Sequence, residues 1–308
     1  MVTGGAGFIG GHLSEALCGE HDLTVVSRSP DKPGIAGLGV GTRTCDVSDG
    51  PAISKIIREA EPEVIIHLAG GTSHARSFED PSADLDVNAR STLHMLEGIR
   101  RADLECRLVL GSTFIVVGRP ESLPVDEGSP CNPATPYAAH RLLAEHYCRI
   151  YANVYGMDTG VFRITNSFGP RESVDPKKNA INYLIHRAHK REEVTIYGGG
   201  YFRDLVYVAD VVSGIRAVAE KGGRGATYWI SSFERVMMRD FGEMLGSMTG
   251  APVRVVDPPE YTRKVDVGDF VVDNSALRSL GWEKRYGLEE GVRETLEYFG
   301  SDGRDGPS

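Results

Sequence analysis

Tyr137 and Arg141 stand four residues apart in the segment Pro136-Tyr137-Ala138-Ala139-His140-Arg141. In a helix that spacing puts both side chains on one face. A phenol ordinarily ionises near pH ~10, so it exchanges protons near neutrality only beside a cation. A guanidinium supplies that charge but cannot itself shuttle a proton. A second chemical signal is Thr3-Gly4-Gly5-Ala6-Gly7-Phe8-Ile9-Gly10, with glycines at G-x-x-G-x-x-G ahead of a helix running through Leu13 and Leu17. Gly4 permits a tight turn, Gly7 lets backbone N–H groups approach a pyrophosphate, and Gly10 lets the helix pack closely on the strand before it.

The elements that must position these residues alternate. Apolar runs at 23–27, 64–69, 107–112 and 157–163 read as strands, and 51–59, 84–101 and 136–155 carry helical spacing between them. The pattern predicts an α/β fold, a Rossmann-type parallel sheet with helices on both faces. The glycine turn is followed by a second strand ending at Ser27, by Cys45-Asp46-Val47 after a third, and by His67-Leu68-Ala69-Gly70 after a fourth. This order reads as a dinucleotide site. Only Met1 and Val2 precede the glycine turn, so the first strand is short or begins upstream of this numbering. Past residue 165 the rhythm loosens into a Gly/Pro-rich loop at 168–176, a helix near 179–191 and short strands around 194–197 and 205–208. The expected division is a dinucleotide-binding domain over 1–164 with a return segment near 203–230, a smaller C-terminal substrate-binding lobe over 165–299, and a flexible tail over 300–308.

Composition narrows the partners. The 308 residues, 41% of them apolar, suffice for a full core. With 34 basic against 43 acidic side chains the net charge is −9, which argues against nucleic acid and acidic membrane surfaces as partners. No apolar run approaches the ~20 residues of a membrane span, and the start carries no leader pattern, so a cytoplasmic protein is expected. Five scattered cysteines with no C-x-x-C pair fit reduced thiols. His186 and His189 form an H-x-x-H without an accompanying carboxylate motif, so they read as helix-surface residues and no metal is expected.

Taken together, TGGAGFIG, CDV, HLAG, the Thr92-containing NARST segment, Tyr137 and RDLVYVADVV resemble the extended short-chain dehydrogenase/reductase family across nearly the whole chain. The resemblance implies enzymes that modify nucleotide sugars. It implies that Gly4, Gly7, Phe8, Ile9 and Gly10 form the cofactor turn, that Asp46 and Val47 frame the adenine, and that Leu68, Ala69 and Gly70 line the dinucleotide. Asn88 would support its nicotinamide side. It gives Tyr137 the proton exchange with a sugar oxygen during hydride transfer, and Thr113 the hydrogen bond to that oxygen. The family's Tyr-x-x-x-Lys lysine is here Arg141. Dehydratases of the family carry Asp-Glu directly after the threonine, and uronate decarboxylases carry a glutamate at the second position. Phe114 and Ile115 stand there instead, and neither transfers a proton. On the substrate side the resemblance points to Asn166, Arg203 and Arg263 for the diphosphate, which forked guanidiniums bind bidentately. Val194, Ile196 and Tyr197 would flank the base.

The end of the second strand, Ser27-Arg28, lacks the acid that NAD sites use to hold both ribose hydroxyls. A hydroxyl and a guanidinium suit a 2′-phosphate, so NADP(H) is preferred, with NAD(H) the alternative. The leading expectation is NADPH-dependent 4-ketoreduction of a nucleotide-linked 4-keto-(6-deoxy)hexose. The alternatives are a 4-epimerase with tightly held NAD and a non-catalytic dinucleotide-binding protein. A homodimer is expected through the helices at 84–101 and 136–155, whose Leu85, Leu93, Met95, Leu96, Leu142, Leu143 and Tyr147 offer apolar surface beyond one sheet face.

Overall fold

The computed structural model describes residues 1–29, 34–176 and 178–301, with the backbone alone at 261 and 262. Most of the expected tail, 302–308, lies outside the described residues. The first half runs β1 (Val2–Thr3), α1 (Phe8–Leu17), β2 (Thr24–Ser27), β3 (Gly41–Thr44), α2 (Gly50–Ala60) and β4 (Val64–His67), then α3 (His74–Glu79), α4 (Pro81–Leu85) and α5 (Ser91–Arg101). It continues with β5 (Arg107–Thr113), α6 (Pro136–Tyr155) and β6 (Thr159–Ile164). With the later strand at Ala226–Ile230, six of these strands form one parallel sheet in which β3, β2, β1, β4, β5 and β6 lie side by side and Ala226–Ile230 pairs with β6 at the edge. The strand order reverses between β1 and β4, where a doubly wound sheet opens its ligand crevice.

Helices cover both faces, so the central strands are apolar in succession rather than alternating with polar residues. Val25, Ile66, Val109 and Phe162 point to the face packed by Leu13 of α1 and by Val211 and Ile215 of the helix at Val208–Lys221. Their neighbours Val26, Ile65, Leu108 and Val161 point to the other face, against Ile53, Ile57, Met95, Leu96 and Cys148. Met95 and Leu96 are wholly buried there, which corrects their expected role as spare surface for a partner: the chain's own sheet uses them. Leu85, Leu93, Leu142, Leu143 and Tyr147 remain half-buried.

Local sequence sets the helix that matters most. Thr135 caps α6 by accepting from Ala138 N (3.2 Å), Pro136 occupies the first turn, and Gly156 ends the helix at φ 69°. The segment expected as one helix over 84–101 is instead interrupted by a π-turn at Asp86–Arg90 between α4 and α5. Such widened turns re-aim side chains, and this one carries Asn88.

The second half forms the smaller lobe from two-stranded pairs. Asn166–Phe168 runs parallel to Leu205–Tyr207, Val194–Tyr197 parallel to Val253–Val256, and Phe202–Arg203 antiparallel to Val236–Met237. Its core joins Phe168, Ile185, Ile196, Phe241, Leu245 and Phe299. Val194 and Ile196 both belong to that core and are buried, so their expected contact with a substrate base is corrected. Alternation along the strand turns Tyr197 outward, 55% exposed. The His186 and His189 rings lie against Phe299, with centroids 5.0 and 5.9 Å away.

Candidate active site

Short contacts join the carboxyl ends of β1, β4 and β5. Gly4, at φ 71°, sits so near the chain after β4 that a Cβ there would lie 2.7 Å from Ala69 N. A Cβ on Gly10 would lie 2.7 Å from Gly5 Cα, so the turn closes on itself only with glycine. Helix α1 then begins at Gly7 with no side-chain cap and no acid in its first turn. Its first N–H groups, including those of Phe8 and Ile9, are thereby left to an anion.

At the end of β4 the HLAG segment is fixed from below. Ser91 Oγ gives its proton to Val87 O (2.7 Å), so it accepts from His67 Nε2 (3.2 Å). That leaves His67 Nδ1 to accept from Thr3 Oγ1 (2.7 Å), which in turn accepts from Ala69 N (3.4 Å). Burial pushes the His67 pKa down to about 3, and the Arg141 charge adds to the effect. The ring is neutral and ties β1, β4 and the π-turn together. From sequence His67 has no expected role, since only Leu68, Ala69 and Gly70 of HLAG are taken to line the dinucleotide.

Tyr137 and Arg141 are both buried on α6, with the guanidinium carbon 5.8 Å from the phenol ring centroid. Arg141 Nη1 donates to Gly111 O (3.1 Å), two residues before Thr113, and its Nε is buried without a partner. The guanidinium thus lies on the same side of α6 as the phenol, near the end of β5. Thr113 ends that strand half-buried. Phe114 packs edge-on against Phe270 (5.1 Å) and Ile115 is buried, so apolar side chains occupy the two positions after Thr113.

Asn88, fully buried, accepts from Gly71 N (3.0 Å) and donates to Asp84 Oδ1 (2.9 Å). Asp84 also meets His140 Nδ1 (2.7 Å). The His74 ring lies 5.6 Å from that of Tyr137. Burial lowers the His74 pKa, with Asp84 partly opposing the shift. Asp84 and Asn88 were open to discovery as an i, i+4 pair, whereas His140 and His74 left no sequence signal. Beneath the site, Ser112 Oγ donates to Glu145 Oε1 (2.5 Å), and Glu145 is paired with Arg163 (2.7 Å).

Farther out, Arg28 is exposed and pairs weakly with Asp46 at 4.0 Å. Hydrogen bonds from Ser48 hold the Asp46 carboxyl below its ordinary pKa. Ser27 Oγ accepts from Ser29 N (3.2 Å), and Val47 is buried. On the lobe, Asn166 Nδ2 donates to Asp204 O (3.1 Å). Arg203 Nη2 donates to both oxygens of Asp266 (2.9 Å to each), and Nη1 donates to Gly268 O. A phosphate must share or displace that carboxylate. Arg263 is exposed, its Nε donating to Pro258 O (3.1 Å).

Residues 1–231 match the family model described as the NAD dependent epimerase/dehydratase family. The chain belongs to that family. It is 29% identical over 310 residues to the UDP-glucose 4-epimerase of Mycolicibacterium smegmatis, covering 97% of each protein. Its fold superposes with a TM-score of 0.90 on a UDP-glucose 4-epimerase from Thermotoga maritima solved with UDP-glucose, at 29% identity, with 98% of this chain and 99% of that one covered. With the UDP-glucose 4-epimerase of Thermus thermophilus in complex with NAD the TM-score is 0.88 and the identity 30%, with 98% of each chain covered. The residues present fit a nicotinamide dinucleotide: the glycine cradle a Cβ would fill, the uncapped start of α1, and the orphan Arg141 Nε that a ribose hydroxyl would satisfy.

Proposed function

We propose that this enzyme interconverts epimers at one ring carbon of a nucleoside-diphosphate sugar, C4 by analogy with its relatives, and retains NAD throughout. The apolar pair Phe114 and Ile115 behind Thr113, beside the Tyr137–Arg141 pair, supports chemistry at one carbinol, and the likeness to UDP-glucose 4-epimerases favours epimerisation over net reduction there. With no acid or base at those positions, elimination and decarboxylation lack their proton carriers, and chemistry is confined to one carbinol. When bound, the dinucleotide supplies the hydride acceptor and donor. Tyr137 takes the hydroxyl proton as the carbinol is oxidised and returns it after the sugar presents its other face. Arg141 places a permanent positive charge near the phenol and supplies donors for the ribose. Thr113 holds the reacting oxygen, and Asn88 buttresses the loop at Gly70 and Gly71 through its bond to Gly71 N. Asn166, Arg203, Arg263 and Tyr197, all in the 165–299 lobe, provide the surface for the nucleoside diphosphate.

A second reading, 4-ketoreduction with NADPH, draws its support from Ser27-Arg28, where no carboxylate replaces the guanidinium. One experiment separates the two. Purified protein is incubated with a panel of nucleotide sugars, with and without added dinucleotide, and products are resolved by mass and by proton NMR. Exchange between epimers without added cofactor supports the epimerase, and net reduction that requires NADPH supports the reductase. A protein that binds dinucleotide yet converts no panel member would overturn both and leave the non-catalytic alternative.

We also infer a homodimer built on α5 and α6. Exposed Ile150, Val154 and Tyr155 at the end of α6 extend the half-buried apolar set on these helices. A monomeric mass by light scattering at micromolar concentration would refute it. Among the described residues no helix is long and apolar enough to cross a membrane.

A further inference from the structure

Gly70 differs from the other glycines of the site in what surrounds it. It is absent from the positive-φ positions, so the backbone there does not demand glycine. A Cβ built on it would nonetheless fall well inside van der Waals contact with Arg141 Nη2, 2.9 Å from Arg141 Cζ and 2.6 Å from Asn88 Oδ1. At Gly4 the obstacle is backbone, which cannot yield. At Gly70 the three nearest obstacles are side-chain atoms of two residues of the candidate site. We infer that Gly70 is a positioning residue matched to Arg141: the missing side chain at 70 is what admits a guanidinium at 141.

The physical case rests on the shape of the cation. A guanidinium is a planar fork with two terminal nitrogens, whereas an ammonium is a single compact one. Nη1 of Arg141 is committed to Gly111 O, which fixes the plane and drives Nη2 into the space above Gly70. Burial denies the group an easy retreat, since only 4% of Arg141 is exposed. A methyl at 70 therefore turns the fork away from the phenol, presses on Asn88, or both. With lysine at 141 the second nitrogen is gone, and of the three nearest obstacles only Asn88 Oδ1, the far end of a side chain, is left for the methyl to displace. The same geometry explains how a bulkier cation occupies this position without enlarging the pocket: the volume is taken from residue 70.

This inference rests on the reading of Arg141 as the cation serving Tyr137, and the experiment is a double-mutant cycle of Gly70→Ala and Arg141→Lys, with Arg141→Met as a separate control. Turnover and its pH profile are measured on the loaded enzyme, and thermal melting and dinucleotide binding on protein stripped of cofactor. Gly70→Ala alone is expected to lower kcat/KM about tenfold or more, raise the pH at which activity reaches its plateau, and weaken dinucleotide binding. In the Arg141→Lys background the same change should cost less than about threefold in either readout. Equal costs in both backgrounds, or no cost in either, would overturn the match. If Gly70→Ala fails to fold alone, rescue of folding by Arg141→Lys supports the match, and failure of the double variant as well refutes it. Arg141→Met decides the underlying reading separately, for wild-type activity in that variant removes Arg141 from the chemistry whatever the cycle shows.

Discussion

His67 should make the protein acid-sensitive between about pH 7 and 5, above the ordinary carboxylate range. Its folded pKa lies at about 3, against ~6.5 in the unfolded chain, so between those values the unfolded state binds a proton that the native state refuses. The contribution is therefore complete above pH ~6.5 and is lost as pH falls toward 3. Integrating over pH 7 to 5 gives a loss of about 2 kcal/mol from this one ring. Asp204 works in the opposite direction, because burial raises its pKa to about 6, so the native state binds the extra proton from pH ~6 down to ~4. It returns roughly 1 kcal/mol over the same interval, and the wild-type curve alone would hide much of the effect. The informative quantity is the difference between wild type and His67→Gln, which keeps one donor and one acceptor but cannot titrate. Urea unfolding of cofactor-free protein at pH 7, 6 and 5 should show the variant's stability deficit shrinking by about 2 kcal/mol as pH falls. A deficit constant across that range would refute the argument, since it would mean that the ring protonates in the native state as readily as in the unfolded one.

Three further outcomes are expected. Tyr137→Phe should lower kcat by about 100-fold or more while leaving dinucleotide affinity within error, and single-turnover kinetics would expose any other proton carrier. Glu145→Gln leaves the buried Arg163 charge without its partner and should cost about 3–5 kcal/mol in urea melts, a loss far larger than any surface ion pair would give. Arg28→Ala should weaken NADP(H) about tenfold with NAD(H) unchanged, because the exposed pair with Asp46 is weak enough to be given up to a 2′-phosphate; equal titrations of wild type and variant would show that Arg28 meets no phosphate.

The parts of this molecule legible from sequence are those whose signals are local. Thr135, Pro136 and Gly156 mark both ends of α6 within the chain itself, and the consecutive apolar residues of β4 to β6 announce a sheet covered on both faces. The glycine turn is equally local. What escaped depends on partners far apart in sequence. Glu145 and Arg163 are 18 residues apart, and Arg203 and Asp266 are 63 apart, so no periodicity joins either pair. The π-turn at 86–90 breaks no helical composition rule; its register shift is visible only in what Asn88 and Ser91 reach. Val194 was misplaced for a related reason. Strand alternation gives two faces, but only the helices at Ala180–His189 and Met238–Thr249 decide which one is inside.

The catalytic consequence follows from what surrounds Thr113 rather than from the cofactor turn, which many dinucleotide enzymes share. One phenol, one hydroxyl and a fixed cation can carry a hydroxyl proton on and off a carbinol oxygen. Removing a carbon-bound proton at the next ring position, or protonating a departing hydroxyl, needs a further acid or base within hydrogen-bond reach. Phe114 and Ile115 fill the two positions after Thr113 with hydrocarbon, and the packing of Phe114 on Phe270 ties that surface to the second lobe. A polar substitution there would expose an unpaired group to an apolar wall, at a cost that a single residue change does not repair. On the proposed function, these two positions offer no carrier for a chemistry that changes the sugar's carbon or oxygen count. That constraint applies to epimerisation and ketoreduction alike, which is why the retained or exchanged dinucleotide, and not the sugar skeleton, is the observable that divides them.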